Sequence, residues 1–292
     1  MSVGVVTDSS CDLPQPLADE LGIRIVPLTI RFGREEFLDR RDLTPSEFWA
    51  RWHDAAAAPE TAAPAPGLFE AMYRGLAERG IDGIVVVTMS SALSGTMQSA
   101  ELAARSVRDL VPVEVIDSRT ATAGLGMIAA AAARRARSGA ALDEVAAQSR
   151  ELADRTQVWA MLDSLEGLRQ SGRVGAAKAA VAEAFAVKPI VELRDGHIDR
   201  HGRPRTRRRA LEVLVAKVRA ARPLTSLGVL HADAGDLDAF VEALAPLSPG
   251  PMMVTDVGPV IGSHCGRRAV GVAFQTADSI GRVCREVGQV LN

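Results

Sequence analysis

Residues 84–107, IVVVTMSSALSGTMQSAELAARSV, constrain this chain more than any other stretch. Ile84-Val85-Val86-Val87 is an uninterrupted β-branched run, the pattern of a strand covered on both faces. Residues 88–96 then place five hydroxyls in nine positions: Thr88, Ser90, Ser91, Ser94 and Thr96. From there Met97, Ala100, Ala104 and Val107 recur at helical spacing. A strand, a polar loop and a helix start make an anion site. Free N–H groups at the helix N-terminus point into the loop, and the helix dipole favours negative charge there. One hydroxyl suffices as the ordinary helix cap; five exceed that need.

The same rhythm fills the first half. Strands are expected at residues 2–7, 23–32, 84–88 and 112–116, with helices at 13–21, 44–53, 68–79 and 122–138 between them. Residues 55–67, rich in Ala and Pro, read as a loop. Strands joined by helices predict an α/β fold, a mostly parallel sheet with helices on both faces. Ligands of such sheets sit beyond the carboxyl ends of the strands. Three strands end in hydroxyl-rich loops, at 7–10, 88–94 and 117–122, so all three are expected at one edge. A charged amphipathic helix at 142–156 leads to a different rhythm. Helices are expected at 165–169, 176–185, 210–221 and 237–245, a hairpin at 188–193 and 197–199, strands at 228–231, 252–257 and 270–274, and a C-terminal helix. Residues 259–266 read as a loop. Two domains are expected, 1–150 and 151–292, the second an α/β domain with a mixed sheet.

With 292 residues, 47% of them hydrophobic, the chain buries a large core. Its net charge of −2 provides no bulk attraction to nucleic acid. Six arginines within residues 200–209 lack interleaved aromatics, so a basic surface or a contact for an acidic protein is the simpler reading. No uncharged apolar run of about 18 residues is present, so no transmembrane helix is expected. Cys11, Cys265 and Cys284 lack metal-ligand spacing, and a cytoplasmic protein with reduced thiols is expected. Asp8 and Asp12 suit turn formation better than a metal site, and His197 and His201 fall in the hairpin, away from the helical spacing zinc needs. Neither a phosphate-binding P-loop nor a dinucleotide fingerprint occurs. A serine hydrolase would use Ser94 or Ser91 with His264, yet no Gly-x-Ser-x-Gly elbow surrounds either serine.

Several segments together resemble the DegV family of fatty-acid-binding proteins. Val5-Val6-Thr7-Asp8-Ser9-Ser10-Cys11-Asp12-Leu13-Pro14 is similar to the family's opening, and Ser90-Ser91-Ala92-Leu93-Ser94-Gly95-Thr96 to its most specific motif. Val115-Ile116-Asp117-Ser118, the leucine-rich segment ending in Ser171-Gly172-Arg173, Lys188-Pro189-Ile190, Arg205-Thr206 and Gly262-Ser263-His264 follow in order. The resemblance implies a protein, not itself an enzyme, that buries a long-chain fatty acid and presents it to the catalytic subunit of a fatty acid kinase. It implies that Thr61 and Ser94 hold the carboxylate; Ser91 and the Gly95 N–H, in the same loop as Ser94, are lesser candidates. His264 and Arg205 match the positions that serve the kinase encounter. No cofactor, no metal, no nucleic acid and at most transient membrane contact are implied. The chain departs from the family at Ala62-Ala63-Pro64-Ala65, which lacks a hydroxyl, at Ser171, and at Cys265-Gly266-Arg267-Arg268 beside His264. The alternatives are a serine-dependent esterase built on Ser94 or Ser91 with His264, and a binding module for a small carboxylate or phosphate.

Overall fold

The computed structural model describes residues 2–54, 58–174 and 187–277. The helices expected at 176–185 and at the C-terminus lie outside those residues. The first half runs β1 (Val3–Asp8), α1 (Gln15–Leu21), β2 (Arg24–Val26), β3 (Thr29–Phe32), β4 (Glu35–Leu38), α2 (Pro45–Asp54), β5 (Glu60–Ala62), α3 (Pro66–Ala77), β6 (Gly83–Thr88), α4 (Thr96–Ser106), β7 (Val113–Asp117), α5 (Thr122–Arg137) and α6 (Leu142–Arg155). The rest runs β8 (Thr156–Met161), α7 (Glu166–Gln170), β9 (Ile190–Arg194), β10 (His197–Gly202), α8 (Arg207–Ala220), β11 (Leu224–His231), α9 (Leu237–Leu244), β12 (Met253–Asp256), α10 (Pro259–Cys265) and β13 (Val270–Thr276).

Strands β2-β1-β6-β7 form a parallel sheet in that order. Successive side chains of a strand point to opposite faces. Val6, Ile84 and Val86 pack with Phe69, Tyr73 and Ala100 of α3 and α4. Val5, Val85 and Val87 join Leu125, Ile128 and Ala132 of α5 in a second core. Both faces are covered, which is why the β6 run carries no polar residue. Strands β10-β9-β8-β13-β11-β12 form a mixed sheet in which β11 and β12 are parallel and the other pairs antiparallel. Trp159, Met161, Ile190 and Val272 pack with Leu214 of α8 and Phe240 of α9. Their neighbours Val158, Ala160, Val191, Leu193 and Ala273 face the core that holds α5. The molecule is therefore α/β, with one parallel and one mixed sheet.

The structure corrects four local expectations. Residues 23–32 are two strands, because Pro27 has no N–H to continue the ladder and Leu28 turns its N–H to Ser9 Oγ (3.0 Å). The loop at 55–67 contains β5, which pairs with β3 beside β4 in a small antiparallel sheet. Residues 157–161, assigned to no element by sequence, complete β8 at the centre of the mixed sheet. The expected loop at 259–266 is helix α10, with Pro259 at its first position.

Candidate functional site

The parallel strands β1, β6 and β7 deliver their loops to one edge. Asp8 Oδ2 accepts from the Met89 N–H (2.8 Å) and the Thr120 carbonyl from the Ser90 N–H (2.8 Å). Ser90 Oγ donates to the Gly196 carbonyl (2.7 Å) at the tip of the β9–β10 hairpin, tying that edge to the mixed sheet. Asp195 and Gly196 both have positive φ, at 49° and 83°, the conformation of a tight hairpin turn.

Behind this seam lies a cavity between the mixed sheet and the loops that leave the parallel sheet. Val158 and Ala160 of β8 and Val191 and Leu193 of β9 line it on one side, Leu28, Met89 and Ala121 on the other. Apart from the Cys265 thiol, its polar lining is Thr61, Ser94, Thr122, Arg173 and His264. Ala62 and Ala63 also line it, so the hydroxyl missing from that segment is replaced by methyl groups.

Each polar group is placed by a different element. Thr61 sits on β5 opposite Ile30. Ser94 precedes α4, and its Oγ accepts from the Thr96 N–H (3.3 Å) and pairs with the Thr96 hydroxyl (2.9 Å). It thus helps close the helix start while lining the cavity. His264 occupies the last turn of α10 and bonds Thr61 Oγ1 through Nε2 at 2.9 Å. Its Nδ1 is buried and has no hydrogen-bond partner among the described residues. Arg173 follows Gly172, whose φ of 71° turns the chain after α7. Its guanidinium donates to the Leu93 carbonyl (3.3 Å), next to Ser94, and to the Ser171 carbonyl (2.6 Å).

The electrostatics of this corner follow from burial and one charge. Burial, with a further contribution from the Arg173 cation, lowers the His264 imidazole to about 4. At neutral pH the ring is uncharged and presents one N–H donor. With the Thr122 hydroxyl given to Asp12, the Thr61 and Ser94 hydroxyls, one neutral imidazole and one guanidinium make a site of net charge +1 at the side of an apolar cavity. That combination suits a single carboxylate attached to an apolar tail.

The structure brings together Thr61, Ser94 and His264. The other predicted residues lie outside the cavity lining. Ser91 is exposed and donates to Asp117. Gly95 is the exposed N-cap of α4. Arg205 is exposed in the turn before α8. Arg267 and Arg268 pair with Asp233 and Asp163 on the surface, and Ala269 follows them into the lining. Neither Ser94 nor Ser91 is hydrogen-bonded to His264, so the esterase alternative lacks its nucleophile–base contact. Sequence reasoning missed Arg173. It stands in a motif noticed for its Gly-Arg pair, but nothing local shows that this turn folds back onto Leu93.

A family model described as "Uncharacterised protein, DegV family" matches residues 2–277. A DegV domain-containing protein of Mycobacterium tuberculosis is 39% identical over 285 residues, covering 96% of this chain and 99% of the relative. One from Streptomyces coelicolor is 36% identical over 279 residues, covering 94% and 98%. Among solved structures, the fatty-acid-binding DegV family protein of Thermus thermophilus superposes with a TM-score of 0.86 at 32% identity, covering 94% of this chain and 99% of that one. DegV of Bacillus subtilis, described as a fatty acid binding protein, gives 0.83 at 27% identity, covering 94% and 99%.

Proposed function

We propose that this chain, which belongs to the DegV family, holds a long-chain fatty acid in its cavity and presents the carboxylate to a partner kinase that forms the acyl phosphate. The observation that carries the reading is the apolar cavity whose lining includes Thr61, Ser94, His264 and one cation, Arg173. Thr61 and Ser94 donate to the carboxylate, the neutral His264 donates its one ring N–H to Thr61 Oγ1 and so aims that hydroxyl, and Arg173 balances the charge. Ser91 is engaged by Asp117 and Gly95 is exposed, which leaves both at the margin of this head-group site. Arg205, exposed before α8, is available to the kinase.

The tail supplies the affinity. About 14 buried methylenes contribute roughly 11 kcal/mol at about 0.8 kcal/mol each, before the cost of immobilising ligand and protein. In this reading residues 1–150 carry the carboxylate-binding loops and residues 151–292 cover the acyl chain, with β8 and β9 as the tail's wall. The relatives' descriptions as fatty-acid-binding proteins support the ligand class.

Equilibrium binding of C14–C18 acids to Thr61→Ala/Ser94→Ala tests the head-group assignment. Losing two hydrogen bonds to a charged group is expected to weaken binding at least tenfold, from about 1.5–3 kcal/mol per bond. Wild-type affinity in the folded double variant contradicts it.

A further inference from the structure

The Asp8–Asp12 segment was prominent in the sequence, and the binding site described above makes no use of it. Asp12 is 5% exposed and has φ 48°, a left-handed conformation uncommon outside glycine. Three distant segments converge on it. Its Oδ2 accepts from the Thr122 hydroxyl (2.6 Å), its Oδ1 from the Gly258 N–H (3.0 Å), and its carbonyl from the Thr255 hydroxyl. Thr122 opens α5 and lines the cavity. Gly258 is the N-cap of α10, the seven-residue helix that ends with His264 in its last turn. A Cβ on Gly258 would sit 2.9 Å from Asp12 Oδ1, so the fit is close.

We propose that Asp12 is a positioning residue whose side-chain oxygen pins the start of α10, and so holds the His264 ring against Thr61, at the carboxylate end of the cavity. The inference rests on the fatty-acid reading for its functional consequence and on geometry alone for its structural one. A helix this short has little stability of its own. Its position is set by what grips it: Asp12 at the N-terminus, Trp49 and Phe48 against Gly262, and α7 at its end, where Gly167 lies under the His264 carbonyl. The Asp12 grip connects α10 to the segment after β1 and to the start of α5. Releasing it leaves the Gly258 N–H without its acceptor and lets the helix pivot about its Trp49 contact.

The test reads His264 directly. In the ligand-free protein, the imidazole is titrated by NMR in wild type, Asp12→Asn, Asp12→Ala and Gly258→Ala. The wild-type midpoint is expected at about 4. Asn keeps an oxygen for the Gly258 N–H and preserves the low midpoint. Asp12→Ala and Gly258→Ala each break the contact, from opposite sides, and move the midpoint up toward the solvent value as the ring gains water. Should Asp12→Ala fail to fold, Gly258→Ala carries the result. An unchanged His264 midpoint in a folded Asp12→Ala or Gly258→Ala protein overturns the proposal. Release of cis-parinaric acid is measured alongside, with the two contact-breaking variants expected to release it about tenfold faster; release at the wild-type rate also overturns the proposal. If wild type takes up no cis-parinaric acid, the fatty-acid reading falls, while the His264 titration still decides the role of Asp12.

Discussion

At the scale of single residues, His264 and Arg173 set the behaviour of the site. Burial and the Arg173 charge hold His264 neutral down to about pH 4. A group whose pKa is depressed by a neighbouring cation responds predictably to an anion. A bound carboxylate favours the imidazolium and raises the midpoint. NMR titration with and without a saturating fatty acid is therefore expected to show the His264 midpoint moving upward on binding. An unchanged or lower midpoint would place the head group elsewhere. Arg173→Gln separates two effects. Removing the cation raises the ligand-free His264 midpoint, and it weakens fatty-acid binding by removing the countercharge. A loss of affinity with no change in the His264 titration would mean that Arg173 acts on the fold and not on this corner.

Among the elements, α10 matters most to the site and was the least legible. Its start carries a helix signal, Pro259 at the first position, and Gly266 (φ 75°) ends it. Seven residues show too little periodicity to outweigh the surrounding glycines. Tertiary contacts decide the matter: Gly262 lets Phe48 and Trp49 approach, and Gly167 lets α7 reach the His264 carbonyl. A Cβ at Gly167 would lie 2.5 Å from that carbonyl oxygen, a backbone atom that cannot step aside. Gly167→Ala is expected to cost about 1–3 kcal/mol of stability, as overpacking does, and to weaken fatty-acid binding. Gly250→Ala, with nothing within 4 Å of its Cβ, is the matched control. Chemical denaturation of the two variants checks this, and equal stability would contradict it.

The contrast with β6 explains what sequence reading reached. The Ile84–Val87 run announces its strand because both faces are covered, and the hydroxyl-rich loops at the ends of β1, β6 and β7 do share an edge. Strand β5 has three residues in an Ala-Pro-rich setting and exists through its pairing with β3, a partner thirty residues away. Thr61 is nonetheless legible, because the resemblance supplies what local pattern does not. Arg173 was missed for the converse reason: its role arises where a turn meets a distant loop.

Taken whole, the molecule concentrates buried carboxyls behind its binding seam. Asp8, Asp12 and Asp39 are all buried, and burial raises each above the usual carboxylate range, Asp12 and Asp39 to about 7. A carboxyl with a raised folded-state pKa binds its proton more tightly in the native protein than in the unfolded chain. Its stabilising contribution is complete below about pH 4 and is lost as pH rises through about 7. His264, with its depressed value, has the opposite sign: its contribution is lost as pH falls from about 6.5 through 4. Between pH 5.5 and 8.5 the carboxyls therefore dominate, and the ligand-free protein is expected to become less stable as pH rises. Urea unfolding at the two pH values checks the sign. Asp39→Asn should shrink the difference, and an unchanged difference would assign the effect to other groups.

The central claim is that the cavity between the mixed sheet and the loops of the parallel sheet is built for a long acyl chain. Native mass spectrometry of the purified protein tests it most directly. The account predicts a mass increment matching a C14–C18 fatty acid, present on purification or acquired when those acids are offered. A protein that carries no lipid and takes none up contradicts it.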